Sequence, residues 1–191
     1  MQTNKEEILW RLFLEGNADA FSAIFKLYYS PLHNYGLKIC NNTQATEDCL
    51  QNFFIYLYEH RKGIKEVKSV KSYLFISFRR SLLTYLKKER TYTDIESVKA
   101  KSLNFEFSAE ELRINQEFTT AKKETVTKIL NTLSTREREV IYLKYYSKLS
   151  TSDIATTMSI TYQSVSNTLQ KAFTKLRNNI ENNMLAAVLK K

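Results

Sequence analysis

Three glycines and one proline in 191 residues leave this chain little means of making the tight turns that a sheet-rich fold requires. Their scarcity predicts long helices, and the hydrophobic spacing agrees. "EEILWRLFLEG" carries apolar residues at 8, 9, 12 and 13, then Gly16 as a stop. Asn17 or Asp19 can cap the next stretch, where Phe21, Ile24, Phe25 and Tyr28 keep helical spacing. Pro31 is expected to kink or divide that helix. "NNTQ" is a polar break, after which Thr43 opens a helix with Glu47 in its first turns. "RKGIKEVKSVK" reads as a basic loop and "SYLFISFRRSLLTYLKKER" as another helix. The pattern lapses from about 91 to 107. Ser108 and Glu111 then have capping-box spacing for a helix running towards Leu133, and Ser134 or Thr135 can cap the one after it. The expectation is an all-α chain: two helical domains, 1–90 and 108–191, joined by a flexible linker over 91–107.

The most informative stretch is "DIATTMSITYQSVSNTLQKAF", residues 153 to 173. Its first half places Ile154, Ala155 and Met158 on one helical face, and the small Ala155 lets a second helix approach closely. Ser159, Ile160 and Thr161 make the turn, with Ile160 inward and Thr161 placed to cap the second helix. That helix is expected to bury Val165, Leu169, Ala172, Phe173 and Leu176, whose spacing traces one face. A small residue, an inward aliphatic after the turn and an inward Val five further on form a DNA-binding helix-turn-helix pattern. Ser159 stands where glycine is usual, so a positive φ there would strain it.

That pattern explains the composition of the outer face. Gln163, Ser164, Ser166, Asn167, Gln170 and Lys171 lie on or near it. Amides donate and accept at adenine edges, and lysine reaches guanine or phosphate. A solvated polar face would tolerate glutamates, which would repel a DNA backbone, and none stands here. Arg136, Arg138, Lys144, Lys148, Lys175 and Arg177 surround the face and suit phosphate contacts, which position without specifying sequence.

The N-terminal half shows a different chemistry. Residues 60 to 90 hold ten basic residues against two acidic ones, Glu66 and Glu89. Tyr73, Phe75, Phe78 and Tyr85 are interleaved with them. Cations hold a backbone and aromatic faces stack on exposed bases, a pairing that suits single-stranded or melted nucleic acid. Aromatics in such a helix can equally be core, so the charge is the firmer signal. In the preceding helix Glu47, Asp48 and Gln51 lie close on one side, where they can dock a protein partner.

The remaining features exclude more than they suggest. The chain has 29 Lys and Arg against 20 Asp and Glu, a formal charge of +9 that suits a polyanionic partner. Cys40 and Cys49 belong to no CxxC, which argues against a disulfide framework or zinc site and for buried reduced thiols. His33 and His60 lack metal-ligand spacing. The carboxylates are dispersed rather than clustered for metal-assisted catalysis. No enzymatic activity, metal or cofactor is expected. "MQTNKEEILW" lacks the apolar core of a signal peptide, and no apolar run reaches the ~18 residues of a membrane span. A soluble, cytoplasmic protein is expected.

Three segments together carry a resemblance: "TEDCLQNFFIYLY", "SYLFISFRRSLLTYLKK" and "LSTREREVIYLKYYSKLSTSDIATTMSITYQSVSNTLQKAFTKLR". In that order they resemble the bacterial sigma-70 family, specifically its extracytoplasmic-function group, from about Asn17 to Ile180. The resemblance implies a dissociable subunit that directs core RNA polymerase to promoter DNA. It implies polymerase-clamp contacts at Asp48 and Gln51, with Glu47 and Asn52 beside them; Asn52 stands where the family usually has Glu. It implies −10 recognition and melting by Lys65, Lys68, Lys71, Arg79, Arg80, Thr84, Lys87 and Lys88. Arg80 and Thr84 depart there from a usual Asn and Asp. The helix from Tyr162 would read the −35 element, with phosphate contacts from Arg136, Arg138, Lys175 and Arg177. An anti-sigma partner is a further family expectation. The rival reading is a helix-turn-helix regulator that binds DNA without being a polymerase subunit.

Overall fold

The structure, a computed structural model, describes residues 2–65, 67–92, 105–108 and 120–189, with no strand among them. Eight α-helices are seen in these residues: α1 (Gln2–Leu14), α2 (Ala18–Cys40), α3 (Thr43–Glu59), α4 (Val70–Tyr92), α5 (Thr120–Asn131), α6 (Thr135–Ile141), α7 (Thr151–Met158) and α8 (Tyr162–Leu189). The chain divides into two compact units, Met1–Ser102 and Leu103–Lys191.

In the first unit, α2 packs against α1, α3 and α4. Gly16 ends α1 at φ 97°, the left-handed conformation that glycine adopts without strain, and Asn17 then accepts the Ala20 amide at 2.8 Å to start α2. Pro31 does not divide α2, which runs through it. It lies on the exposed side, where water can satisfy the carbonyl whose partner it removes. The helices meet closely at Gly36: a Cβ there would lie 2.7 Å from Thr46 Cγ2 and 3.1 Å from the Phe78 ring. In the core of this unit Phe13, Tyr35, Phe54, Phe75 and Phe78 are sealed from solvent, each burial being worth roughly 1.5–3 kcal/mol relative to exposure. Cys49 is buried and Cys40 is half-buried. Burial pushes the Cys49 thiol up, partly offset by its contact with the Ser81 hydroxyl.

In the second unit α8 packs against α5, α6 and α7. Ser134 caps α6 in a full capping box with Glu137, and α6 continues into a π-helical turn, Tyr142–Tyr146. The linker expected over 91–107 ends earlier than its composition suggested. Phe105 and Phe107 are 1% and 3% exposed, packed edge-on and tilted against Tyr142 and Tyr146. Asn131 grips this segment by accepting the Phe107 amide at 2.9 Å and donating to its carbonyl at 3.0 Å. Two aromatics in an aperiodic stretch are therefore core. Glu111 of the expected Ser108–Glu111 cap lies outside the described residues, as do the side chains of Glu66, Glu89 and Arg90.

The helix-turn-helix forms as its spacing predicts. Ile154, Ala155, Met158 and Val165 are buried. Ser159 adopts φ 55° and ψ 47°, the left-handed conformation, which costs a non-glycine residue about 1–2 kcal/mol. Thr161 caps α8 by accepting the Ser164 amide at 3.1 Å. Phe173 is a correction: it is 43% exposed and meets Tyr145 edge-on at 5.9 Å. One residue beyond buried Ala172 is about 100° further round the helix, which carries Phe173 off the packed face.

Candidate nucleic-acid interfaces

The first unit presents an open groove of about 1270 Å³ between the end of α3, the loop after it and α4. Lys65, Arg80, Thr84 and Lys88 line it and are exposed, and half-buried Tyr73 and Tyr85 lie among them. Four of the residues expected at a melted strand thus share one groove. Lys68 and Lys87 are exposed outside its lining, while Lys71 and Arg79 are half-buried. Thr84 Oγ1 donates to the Arg80 carbonyl at 2.9 Å, so its hydroxyl is engaged within the helix. Two of the four interleaved aromatics are not available for stacking: Phe75 and Phe78 are 0% exposed and belong to the core. Arg61 is structural too, donating to the Tyr58 carbonyl at 2.7 Å with its guanidinium over that ring. Sequence reasoning missed Tyr56 and His60, two exposed rings on the groove wall. Their spacing of four on a helix end was the available signal.

The acidic side of α3 is also present. Gln51 and Asn52 are exposed, and Asp48 is half-buried, accepting from Gln44 at 3.0 Å. Glu47 Oε1 lies 3.6 Å from His33 Nε2, a tie between α3 and α2. Ile55, 55% exposed, continues the face two helical turns beyond Asp48, an apolar element that residue typing alone overlooked.

In the second unit the polar face of α8 lies open. Tyr162, Gln163, Asn167, Gln170 and Lys171 are exposed, and Ser164 and Ser166 half-exposed. Gln163 Nε2 donates to Asn167 Oδ1 at 2.9 Å, which aligns two amides along one line of the helix. Arg136 from the start of α6 shares a polar cleft of about 350 Å³ with Ser164, Asn167 and Lys171. Arg177 is exposed further along α8.

Two of the expected phosphate ligands bond within the unit, Arg138 from a buried position and Lys175 from an exposed one. Arg138 is 9% exposed and its Nη1 donates to the Asn131 carbonyl at 3.4 Å, so it is not a surface cation. Lys175 Nζ donates to both carboxylate oxygens of Glu137, at 2.8 and 2.9 Å, and its charge is met by the pair. Burial alone would raise the Glu137 carboxyl; the bonds from Lys175 and Ser134 outweigh it and hold it below the ordinary carboxylate value. The pair ties α8 to α6 and so fixes the angle at which the amide face is presented. Among the described residues there is no His, Cys, Asp or Glu group able to hold a metal ion, and no helix long and apolar enough to cross a membrane.

An aromatic, cationic groove on one helical unit and an amide-bearing helix-turn-helix on the other are the surfaces of a protein suited to meet nucleic acid in two places. The family pattern described as sigma-70 region 2 matches residues 24–92, and that described as sigma-70, region 4 matches residues 123–176. The chain belongs to the sigma-70 family of RNA polymerase sigma factors. It is similar to the RNA polymerase sigma factor YlaC of Bacillus subtilis (strain 168), at 20% identity over 163 residues, covering 85% of this chain and 92% of that one. In fold it is similar to CnrH, solved in complex with the cytosolic domain of CnrY, with a TM-score of 0.61, 17% identity, and coverage of 93% and 97%. It is also similar to the sigma factor RpoE, solved in complex with the anti-sigma factor NepR from Bartonella quintana, with a TM-score of 0.60, 19% identity, and coverage of 84% and 96%. The region 2 match sets aside a regulator that acts without polymerase.

Proposed function

We propose that the two units divide promoter recognition by the physical state of the DNA. The first unit docks on core polymerase through Asp48, Gln51 and Asn52, with Glu47 alongside, and holds the melted −10 strand. Lys65, Arg80 and Lys88 neutralise its backbone in the groove, with Thr84 in the lining beside them; Lys68, Lys71, Arg79 and Lys87 support that site from outside the lining. The second unit reads the −35 element as duplex through Gln163, Asn167, Gln170 and Lys171, with Tyr162, Ser164 and Ser166 bordering them. Arg136 and Arg177 take phosphates; Arg138 and Lys175 instead hold the unit together. The bond-making chemistry belongs to the polymerase. The protein works in the cytoplasm with core polymerase, and an anti-sigma partner of the kind seen with RpoE fits its fold class.

The observation that carries this reading is the division of side chains: cations and rings line the groove, while amides line the exposed face of α8. Its test is to add the protein to core polymerase and sequence transcript starts from genomic DNA. Starts sharing one spaced pair of upstream motifs are expected. Starts identical to those of core polymerase alone would overturn it.

A further inference from the structure

Phe105 and Phe107 belong to the second unit, yet they stand outside its helices, on the chain that joins it to the first. The segment alternates: both rings are buried, and Glu106 between them is exposed. Phe105 meets Tyr142 edge-on at 5.4 Å, and Phe107 lies 5.6 Å from Tyr146. Those two tyrosines are stacked on each other, 5.3 Å apart and 5° from parallel, in the π-helical turn. The Asn131 side chain bonds both the amide and the carbonyl of Phe107, as a paired backbone would. Asn131 is held in turn, because its own carbonyl accepts from the buried Arg138 at 3.4 Å. Rings give the segment its hold and the two amide bonds fix its register. Releasing it would expose both rings and break both bonds, so the chain has a fixed point here.

Where the chain is fixed limits how far apart the two units can act. Residues 93–104 run from the end of α4 at Tyr92 to this fixed point, and can span at most about 45 Å. Measured instead to Thr120, where α5 begins, the upper limit is about 95 Å. Two linked binding modules assist each other only at separations that their connection can span, and a shorter connection narrows that range. Each added base pair lengthens a duplex by about 3.4 Å. We propose that Phe105, Phe107 and Asn131 form an anchor that restricts the spacing between the −10 and −35 elements at which this protein acts. They are positioning residues, which touch no DNA in this role and work through the length of the connection. The proposal rests on the reading that the two units bind one promoter at two places.

The test uses the full chain with core polymerase, on a promoter located by its transcript start and on versions whose spacer between the two upstream motifs is lengthened stepwise. Transcript yield at each spacing is divided by the yield at the native one. Wild-type protein is expected to lose about tenfold in yield once the spacer has grown by about three base pairs. Phe105→Ser with Phe107→Ser is expected to lose no more than about threefold at that spacing, and Asn131→Ala to fall between the two. A further variant, with a short Gly and Ser stretch inserted after Ser97, lengthens the connection while leaving Phe105, Phe107 and Asn131 in place. It is expected to widen the accepted range likewise, and it decides the matter if the double variant does not fold. A profile as narrow as wild type in the anchor variants or in the insertion variant, or a loss of yield equal at every spacing, would overturn the anchor while leaving two-part recognition in place. A wild-type profile flat across all spacings would overturn both.

Discussion

The proposed function gives the two units of this chain opposite ways of meeting DNA, and the contrast arises from the surfaces each state of DNA exposes. A duplex shows base edges at the floor of a groove, so a reader needs short polar groups on a stiff support. The second unit supplies these on α8, held by the Glu137–Lys175 pair and by tight closure at Ser159. A melted strand shows whole base faces and a freely bending backbone, so its binder needs rings and cations around an open space. The first unit supplies those along its groove. On that proposal specificity is concentrated in a helix face with few side chains, and strand capture in a wider surface with many.

The sharpest way to break this contrast is to remove the amide pair. Gln163→Ala with Asn167→Ala is expected to weaken binding of the upstream duplex by about 10- to 100-fold, the range of one good bidentate base contact. Binding of single-stranded DNA should not change, as a gel-shift comparison of the two probes would show. Next in size is a change confined to the framework of the first unit. Gly36→Ala places a Cβ against Thr46 and Phe78, both buried and neither free to swing away. A loss of about 1–3 kcal/mol is expected in denaturant unfolding of that unit, with the second unit's transition unmoved.

A smaller effect is expected at Glu137. Because its folded carboxyl sits below the ordinary 4.5, its contribution is complete above that pH and fades as pH falls through the folded value. Glu137→Gln should cost the second unit about 1–2 kcal/mol at neutral pH. It should also flatten the acid limb of that unit's stability profile, measured by circular dichroism across pH. The smallest expected effect is a gain. Ser159→Gly relieves the left-handed serine and should stabilise the second unit by about 0.5–1 kcal/mol, less than the full strain because glycine also loosens the unfolded chain.

Legibility differed between the units in the same way as their chemistry. The helix-turn-helix was readable because its constraints are local: Ala155, Ile160 and Val165 sit within one short span and each answers to a fixed position. Strand-capturing residues were readable as charge but not as geometry. Nothing in "SYLFISFRRSLLTYLKK" distinguishes Phe75 and Phe78, which are core, from Tyr73 and Tyr85, which line the groove, because α4 packs on several neighbours at once. Arg138 likewise reads as a surface cation until α6 is seen to be buried along most of its length. Phe105 and Phe107 escaped notice because their partners Tyr142 and Tyr146 lie far along the chain and no periodicity marks the contact. The division allowed for at Pro31 does not occur, and α2 continues through a proline on its exposed face.

One measurement bears on the division of labour most directly. Polymerase carrying wild-type protein, or the groove variant Arg80→Ala with Lys88→Ala, is placed on a mapped promoter. Nuclease protection and permanganate reactivity of thymines are then read on the same complexes. With the groove variant, protection of the upstream duplex should persist while reactivity of the downstream thymines is lost. Loss of both signals in parallel, or retention of both, would contradict the account.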